Sequence, residues 1–409
     1  MLTRRFFLQS AMLAGCSAAA HPLMNSVTFA AVPGDRRLVV IILRGGMDGL
    51  DIVQPYGDPL LAKLRPDFAI GPKAGAADLD GFFGLHPLLV PQLMPMWTAG
   101  ELGFAHAVST PYRDKRSHFD GQDMLEAGTG MDVPVSMIRD GWLNRLLQTL
   151  PGATAETAYS VGEEELRLLS GAAPTMSWTP DAWLGLSSQG RRLLESIYHD
   201  DPLFRDAAAD ALTMTAPEAT MEDDLSGDDV PTARRRPPKP ETEKVPGHNA
   251  LAAFAASRLK GAARIAAFSL TGWDTHRGQE HALRRPAEQL AAMLTTLKTE
   301  LGPVWRETLV LAMTEFGRTA RQNGTAGTDH GTGGAMVMAG GALKGGKVYG
   351  KWPGLADADL YAGRDLMPTA DIRAYGAWAL AGLYGTPRET LERTIFPGLD
   401  MGTDPRFLA

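Results

Sequence analysis

Leu38-Val-Val-Ile-Ile-Leu43 is an unbroken run of apolar, mostly β-branched residues, and it leads directly into Arg44-Gly-Gly-Met-Asp-Gly49. An apolar run of this length that ends at glycines is typical of a strand buried on both faces of a sheet. The glycines let the backbone turn sharply out of the strand, which brings the carboxylate of Asp48 to the strand end. This stretch therefore predicts a central buried strand with a polar side chain at its carboxyl end.

Three later apolar runs stand in the same relation to polar residues. The runs at residues 103–108, 265–270 and 308–313 are followed by Ser117-His118, Asp274-Thr-His276 and Glu315, respectively, and Asp329-His330-Gly331 precedes the run at 335–339. In open α/β sheets the loops at the carboxyl ends of the strands share one edge, and ligands bind there. The pattern therefore predicts that these residues, distant in sequence, form one site.

The alternation of apolar runs with helical patterns indicates the fold class. Helical periodicity occurs at residues 86–99, 119–127, 141–150 and 281–301. Alternating strands and helices are typical of βαβ units, so we expect an α/β fold with a mostly parallel sheet sandwiched by helices. One such domain would span residues 32–409. Within it, residues 152–214 favour peripheral or cap helices, and residues 215–247, with acidic, basic and proline-rich blocks, predict a disordered loop.

The composition of the chain argues against two classes of function. Of its 409 residues, 44% are apolar and 21% are charged, which is ordinary for a globular protein. The formal net charge of -7 at pH 7 provides no basic surface for a phosphate backbone, so we expect no nucleic-acid partner. After the N-terminal region, no segment approaches the ~20 apolar residues of a membrane span. We therefore expect a mature protein that does not span a membrane.

Residues 1–31 have the pattern of a bacterial export signal. Arg4-Arg-Phe-Phe-Leu8 opens this region, and small residues suited to cleavage end near Ala31. Twin arginines followed by Phe and Leu are typical of signals for the pathway that exports folded proteins. We expect the twin-arginine export machinery as a partner and a periplasmic location. The alternative is a lipid anchor at Cys16. Because Cys16 is the only cysteine, no intrachain disulfide can form.

Asp274, His276 and His330 are the strongest candidates for metal ligands. Neutral imidazole and carboxylate are ligands that zinc accepts in tetrahedral sites, and these residues lie in predicted loops next to strands. The alternative for the Trp-Asp-Thr-His segment is a hydrogen-bonded turn. The sequence therefore predicts a metal site formed by two loops.

Asp48 and Glu315 bring two more carboxylates to the same predicted edge. Each follows its own strand within a few residues. The alternative role of Asp48 is to cap a helix or a turn, as Asp commonly does. Asp51 competes with Asp48 for the role of ligand, and the spacing alone does not separate them.

Three residues are candidates for catalytic roles. Ser117 stands at the start of a predicted helix, where the helix dipole stabilises an oxyanion or a phosphate-like group. Its alternative role is that of the helix N-cap, unless Asp120 takes that role. His118 has three open roles, as metal ligand, as acid or base, or as the orienting partner of a ligand. Arg318 is suited to clamp an anionic substrate, or to form a surface salt bridge.

Five short motifs are similar to the signatures of a known family. They are Leu43-Arg-Gly-Gly-Met-Asp-Gly49, Arg116-Ser-His-Phe-Asp120, Gly272-Trp-Asp-Thr-His276, Thr314-Glu-Phe-Gly-Arg318 and Thr328-Asp-His-Gly331. Together they resemble the exported, sulfatase-like domain-of-unknown-function family 1501, within the superfamily of alkaline phosphatases and sulfatases. The resemblance implies an alkaline phosphatase/sulfatase-like fold. It also implies a metal-dependent hydrolase of phosphate or sulfate esters, with a small-molecule or glycan ester as substrate.

The same resemblance implies roles for individual residues. Asp48 and Glu315 correspond to ligands of one metal ion, and Ser117 to the nucleophile. The ligands of the other ion are represented by Asp274, His276 and His330. Zinc is the first expectation for the metal, with manganese, calcium or magnesium as alternatives. Because Glu315 is followed by Phe where the superfamily usually has Asp followed by His, we expect one or two ions. The alternative function is a non-catalytic periplasmic binding or assembly protein that retains the fold.

Overall fold

The computed structural model describes residues 34–113, 115–131, 138, 140–162, 166–179 and 247–409. In chain order, the strands in these residues are β1 (Arg37–Leu43), β2 (Val53–Gln54), β3 (Ala77–Asp78), β4 (Gly84–Leu85), β5 (Leu102–Ser109), β6 (Ala158–Val161), β7 (Met176–Trp178), β8 (Ile265–Leu270), β9 (Thr308–Met313), β10 (Gly334–Ala339), β11 (Lys347–Tyr349) and β12 (Ala370–Asp371). The α-helices are α1 (Gly49–Ile52), α2 (Leu61–Leu64), α3 (Val90–Thr98), α4 (His118–Ala127), α5 (Trp142–Thr149), α6 (Gly247–Leu259), α7 (Gln279–Ala282), α8 (Arg284–Leu301), α9 (Ile372–Tyr384) and α10 (Arg388–Thr390).

A nine-stranded sheet forms the centre of the described structure. Its strand order is β11-β5-β10-β9-β1-β8-β6-β7, and β12 pairs with the end of β5. Strand β10 runs antiparallel to both of its neighbours, whereas the other pairings in this sheet are parallel. A separate small sheet contains β2, β4 and β3. The predicted α/β class with a mostly parallel sheet between helices is therefore confirmed.

The apolar run of β1 is continuous because both faces of the sheet are covered. Val39, Ile41 and Leu43 pack into one core with residues of α3, α6 and α8. Leu38, Val40 and Ile42 pack into a second core with residues of α5 and α9. Every residue of β1 is buried. A strand buried on both faces needs apolar residues at consecutive positions, which explains the absence of polar alternation.

The structure differs from the expectation in the region of residues 152–214. Residues 158–161 and 176–178 form β6 and β7, which extend the main sheet beyond β8, rather than peripheral helices. These strands contain only four and three residues, too few to show a periodicity. Their conformation is fixed instead by strand pairing: β6 pairs with β8, with Tyr159 opposite Ala266, and β7 pairs with β6. Residues 180–214 lie outside the described residues, as do residues 215–246 of the predicted loop and the predicted signal at 1–31.

The topology brings several loops to one edge of the sheet. Strands β1, β5, β8 and β9 are parallel and end at this edge, and antiparallel β10 begins there, with Gly334 opposite Val108 at the end of β5. Among the helices described, none is both long and apolar enough to cross a membrane.

Candidate metal centre

Four predicted site residues meet at this edge of the sheet. Asp274 and His276 follow β8, His118 begins α4 after β5, and His330 lies in the loop before β10. The Oδ1 atom of Asp274 lies 3.0 Å from Nε2 of His276, 3.2 Å from Nε2 of His330 and 3.5 Å from Nε2 of His118. The two Nε2 atoms of His276 and His330 are 2.9 Å apart. We call these four residues the His-Asp cluster.

All three histidines of the cluster present the same ring nitrogen to its centre. Each Nδ1 atom faces an oxygen that can only accept a hydrogen bond. The three pairs are His118 with Glu315 Oε1 (2.7 Å), His276 with Asp329 Oδ1 (3.3 Å) and His330 with the Arg116 carbonyl (2.9 Å). In neutral rings Nδ1 therefore carries the hydrogen, and Nε2 presents a lone pair. When the three rings are neutral, three lone pairs and a carboxylate oxygen therefore converge.

The geometry of the cluster fits a tetrahedral metal ion. Zinc–ligand distances of about 2.0–2.1 Å place neighbouring ligand atoms about 3.3 Å apart. The separations of Asp274 Oδ1 from the three Nε2 atoms, and of His276 Nε2 from His330 Nε2, lie between 2.9 and 3.5 Å. Ligand atoms of His118, Asp274 and His330 all lie within 4.8 Å of one another. Moreover, Nε2 of His118 is buried and makes no hydrogen bond within the described structure. A buried nitrogen without a donor is costly unless a cation uses its lone pair.

Arg318 lies behind the cluster as a buried cation. Its Nη2 atom contacts Oδ1 of Asp274 at 2.6 Å, and Nε donates to the carbonyl of Gly46 at 2.7 Å. Burial raises the pKa of the Asp274 carboxyl, but the hydrogen bond and charge of Arg318 outweigh burial and lower this pKa. Arg318 itself is only 1% exposed. The guanidinium of Arg318 is therefore buried and paired with Asp274. This position differs from both roles that the sequence predicts for Arg318, a surface salt bridge and a clamp for substrate.

Glu315 is brought to the cluster as a partner of His118. The carboxylate is fully buried, and Oε1 accepts hydrogen bonds from His118, from Gln122 at 3.1 Å and from the backbone N of Gly45 at 2.9 Å. Burial raises the pKa of Glu315, but these donors, with His118 first, outweigh it and lower the pKa. The same hydrogen bond raises the pKa of His118 against the effect of burial. Glu315 thus orients His118, a candidate metal ligand.

Asp48 lies away from the His-Asp cluster in a separate buried network. Its side chain accepts from the backbone N of Leu50 and so caps α1, which is the alternative role that the sequence left open. Arg65 binds both of its oxygens, at 2.7 and 3.0 Å, and Gln279 donates to Oδ2 at 2.6 Å. Asp51 is in the same network, and burial raises its pKa. Neither carboxylate belongs to the ligand group found in the described residues.

Ser117 is the N-cap of α4, and Asp120 is not. The Ser117 hydroxyl accepts from the backbone N of Asp120 at 3.4 Å, and its own backbone N donates to the Tyr112 hydroxyl at 2.8 Å. Ser117 is half-buried. In the chain it stands between Arg116, whose carbonyl contacts His330, and His118, a member of the cluster. The candidate nucleophile is therefore the direct chain neighbour of a candidate metal ligand.

Burial also distinguishes the histidines within the cluster. Burial lowers the pKa of His330, which favours the neutral ring that a metal requires. The side chains of His276 and Asp274 are 38% and 46% exposed, whereas that of His118 is 24% exposed. The cluster is therefore open to solvent on the side of His276 and Asp274.

Asp329, which the sequence predicts as part of the site together with His330, contacts Nδ1 of His276. Two further polar residues hold the cluster in place without having been predicted. Gln122 donates to Glu315, the partner of His118, and Gln279 accepts from Thr275, which lies between Asp274 and His276. Gln122 and Gln279 have no signal in the sequence, because a single glutamine in a helical pattern is ordinarily a solvent-exposed residue.

Comparisons with known proteins identify the family of this chain. No curated protein sequence matches it. Among solved structures, it is similar to Ps i-CgsB in complex with k-i-k-neocarrahexaose, with 10% identity, 87% of this chain and 73% of that chain covered, and a TM-score of 0.38. It is also similar to BT1596, a 2-O GAG sulfatase, with 13% identity, 87% and 72% covered, and a TM-score of 0.32. A third is a mutant TAB5 alkaline phosphatase, with 13% identity, 75% of this chain and 90% of that chain covered, and a TM-score of 0.29.

Residues 92–383, more than half of the chain, match the family described as proteins of unknown function, DUF1501, and the chain belongs to this family.

Proposed function

We propose that the protein binds one divalent metal ion in the His-Asp cluster and hydrolyses phosphate or sulfate esters there. The observation that carries the proposal is that ligand atoms of His118, Asp274 and His330 all lie within 4.8 Å of one another, with Nδ1 of both histidines held by an oxygen. Three imidazole and carboxylate donors suit zinc before manganese, calcium or magnesium, and they leave the fourth tetrahedral position for water or substrate. The ester class follows from the motifs that resemble those of alkaline phosphatases and sulfatases.

One ion rather than two is supported by the surroundings of the other carboxylates. Glu315 accepts from four donors, including the Thr314 hydroxyl at 3.0 Å. Asp48 is occupied by Arg65 and Gln279. Both of these carboxylates have no exposed surface, whereas that of Asp274, which accepts from Arg318, is 46% exposed. A cation at Glu315 or Asp48 would have to replace several buried hydrogen bonds, which is costly.

The chain's own residues would perform distinct tasks in this reaction. A divalent ion at such a site polarises an ester oxygen and lowers the pKa of bound water. Ser117 supplies a hydroxyl nucleophile at the amino end of α4, where the helix dipole favours negative charge. Glu315 holds the ring of His118 in its tautomer, and Arg318 keeps Asp274 ionised.

Positive side chains next to the cluster support an anionic substrate. Lys115 and Arg116 are exposed immediately before Ser117. Arg364 donates to the carbonyl of His330 at 2.9 Å and is only partly buried. Clustered positive charge at an open site raises the local concentration of anions such as phosphate and sulfate esters.

The second candidate function is non-catalytic binding, and His276 favours it. Zinc sites with three protein ligands keep a position for water or substrate, whereas sites with four are closed. His118, Asp274 and His330 alone would leave such a position, but His276 lies within 3.0 Å of Asp274 and 2.9 Å of His330. If all four bind, the ion is structural, and the protein is a binding or assembly protein.

Metal analysis combined with kinetics tests these functions. Protein purified without added metal is analysed for bound zinc, manganese, calcium and magnesium, and assayed on chromogenic phosphate and sulfate mono- and diesters. We expect one ion per chain, sharply reduced in His276→Ala and His330→Ala, and hydrolysis of at least one ester class. One ion without hydrolysis would select the binding function. Protein that remains metal-free when these ions are added, and inert on all esters, would exclude both versions of the metal centre.

We also propose that the protein is exported to the periplasm by the twin-arginine pathway. The support is the Arg4-Arg5 pair before Phe6-Phe7-Leu8. Replacement of both arginines by lysine should leave the precursor in the cytoplasm. Mass spectrometry of the exported N-terminus separates cleavage near Ala31 from lipidation of Cys16, and unchanged export of the double variant would contradict the proposal.

A further inference from the structure

We propose that Gln279 is a positioning residue that fixes the two ligand loops of the His-Asp cluster relative to each other, an inference that rests on the proposed metal centre. The first ligand loop is residues 274–276, which carry Asp274 and His276. The second is residues 328–330, which carry His330. Gln279 belongs to neither loop, but it is the first residue of α7 and is completely buried.

The side-chain oxygen of Gln279 joins the two ligand loops. Its Oε1 atom accepts a hydrogen bond from the hydroxyl of Thr275 at 2.8 Å and another from the hydroxyl of Thr328 at 2.7 Å. Thr275 stands between the two candidate ligands of the first loop, and Thr328 lies two residues before His330. One oxygen atom therefore bridges two loops that are more than fifty residues apart in sequence.

The side-chain nitrogen of Gln279 ties this bridge to the central sheet. Its Nε2 atom donates to Oδ2 of Asp48 at 2.6 Å and to Oδ2 of Asp51 at 2.8 Å. Asp48 is in turn held by both terminal nitrogens of Arg65, and it caps α1, the first helix after β1. An amide has two donor hydrogens and two acceptor lone pairs, so all four are used here, and the orientation of the amide is fixed.

Backbone hydrogen bonds hold the loops together but do not replace this link. The amide of Thr328 donates to the carbonyl of Thr275 at 3.2 Å, and the amide of Gln279 donates to the carbonyl of Ala326 at 2.8 Å. The first of these bonds joins one ligand loop to the other, and the second joins α7 to the segment before the second loop. The Gln279 side chain, in contrast, joins both loops to Asp48 and Asp51. Loss of the side chain should leave the loops folded and loosen their position. Ligands displaced by a fraction of an ångström bind a metal less well.

The test uses variants that remove hydrogen bonds without adding bulk. Gln279→Met removes all four hydrogen bonds of the side chain. Thr275→Val and Thr328→Val remove one donor each, and Thr328→Ser keeps the hydroxyl. Thr295→Val, in α8, is the matched control, since the Thr295 hydroxyl donates only to carbonyls of its own helix.

Zinc affinity is measured by competition with a chelating dye. We expect Gln279→Met to lose about 10–100-fold in affinity, each valine variant at the loops to lose less, and Thr328→Ser and Thr295→Val to match the wild type.

A second measurement on metal-free protein separates this inference from the proposed function. Hydrogen exchange of the backbone amides at residues 275–279 and 326–330 should be faster in Gln279→Met than in the wild type, while amides of β1 and β8 stay protected. If the wild type binds no metal, the proposed function fails, and the exchange rates alone decide the role of Gln279. Unchanged exchange in the ligand loops, or equal zinc affinity of Gln279→Met and wild type, would overturn the inference.

Discussion

Nδ1 of His118 donates to Oε1 of Glu315 over 2.7 Å, and the Glu315 carboxylate has no exposed surface. This pair makes Glu315 act on the cluster through His118. Pairs of this kind fix the tautomer of a metal-binding histidine and raise its basicity. Whether Glu315 acts in this way or as a ligand itself can be decided by a double-mutant cycle.

Glu315→Gln should weaken zinc binding through His118. The amide retains an acceptor but loses the negative charge, so we expect an affinity loss of about 10–100-fold. In the background of His118→Ala, the same change should have no further effect, because its only route to the metal is gone. Glu307→Gln, at a partly exposed carboxylate paired with Arg36, is the matched control. A further large loss in the His118→Ala background would show that Glu315 binds the metal directly.

Asp48→Asn should destabilise the fold. The ion pair of Asp48 and Arg65 is fully buried, and removal of one partner leaves an uncompensated buried guanidinium. Such changes cost about 3–5 kcal/mol in the free energy of unfolding. Urea denaturation with a chelator present measures this loss without a contribution from bound metal. Glu389→Gln, at an exposed pair with Arg393, should leave the free energy nearly unchanged. An Asp48→Asn protein of normal stability that binds fewer ions would make Asp48 a ligand after all.

The difference between Asp48 and the His-Asp cluster shows what the sequence can predict here. Asp274, His276 and His330 were predictable because they follow or precede apolar runs whose strand character is clear, and the order of a mostly parallel sheet brings such loops together. Asp48 obeys the same rule, yet its role depends on Arg65. Nothing in the spacing of these two residues predicts that they meet. The sequence therefore predicts the edge of the sheet, but not which carboxylate there is already paired.

Other features were inaccessible to sequence reasoning because they depend on tertiary contacts. The strands β6 and β7 are too short for a periodic pattern, and the pairing of β6 with β8 and of β7 with β6 determines them. The sequence predicts Arg318 as a surface or substrate-binding residue, but its side chain is buried. Its burial is compensated by the carbonyl groups of Gly46 and Trp273 and by the charge of Asp274. Compensation of this kind involves residues far apart in the chain and has no local signature.

His106 should make the fold sensitive to acid. Nδ1 of its buried ring accepts from the amide of Ala107, and Nε2 donates to the carbonyl of Val53, so the ring is neutral. Burial lowers its pKa from 6.5 to about 4. Between these values the unfolded chain takes up a proton that the folded protein does not. Stability is therefore complete above pH 6.5 and decreases as the pH falls toward 4, by about 3 kcal/mol in total.

His106→Gln tests this pH dependence, because glutamine offers a donor and an acceptor but does not titrate. Urea denaturation at pH 7, 5.5 and 4 should give a smaller loss of stability for His106→Gln than for the wild type. The exposed His281, changed to Gln, is the control for the loss of a histidine as such. The histidines of the cluster are the same in all three proteins, so their contribution cancels in the comparison. Parallel curves for His106→Gln and wild type would contradict a buried neutral ring.

Ser117 caps α4 and is also the candidate nucleophile, and two substitutions separate these roles. Ser117→Ala removes both the cap and the hydroxyl, so it should lose ester hydrolysis and about 1 kcal/mol of stability. Ser117→Asn keeps a good N-cap but has no hydroxyl, so it should lose hydrolysis at normal stability. Both variants should retain one bound ion, because Ser117 is not among the ligand atoms of the cluster. The measurements are initial rates on phosphate and sulfate esters, bound metal per chain, and urea denaturation. If Ser117→Asn hydrolyses esters at the wild-type rate, the attacking group is water and not the serine. A pre-steady-state burst that occurs in the wild type alone would support a covalent serine intermediate.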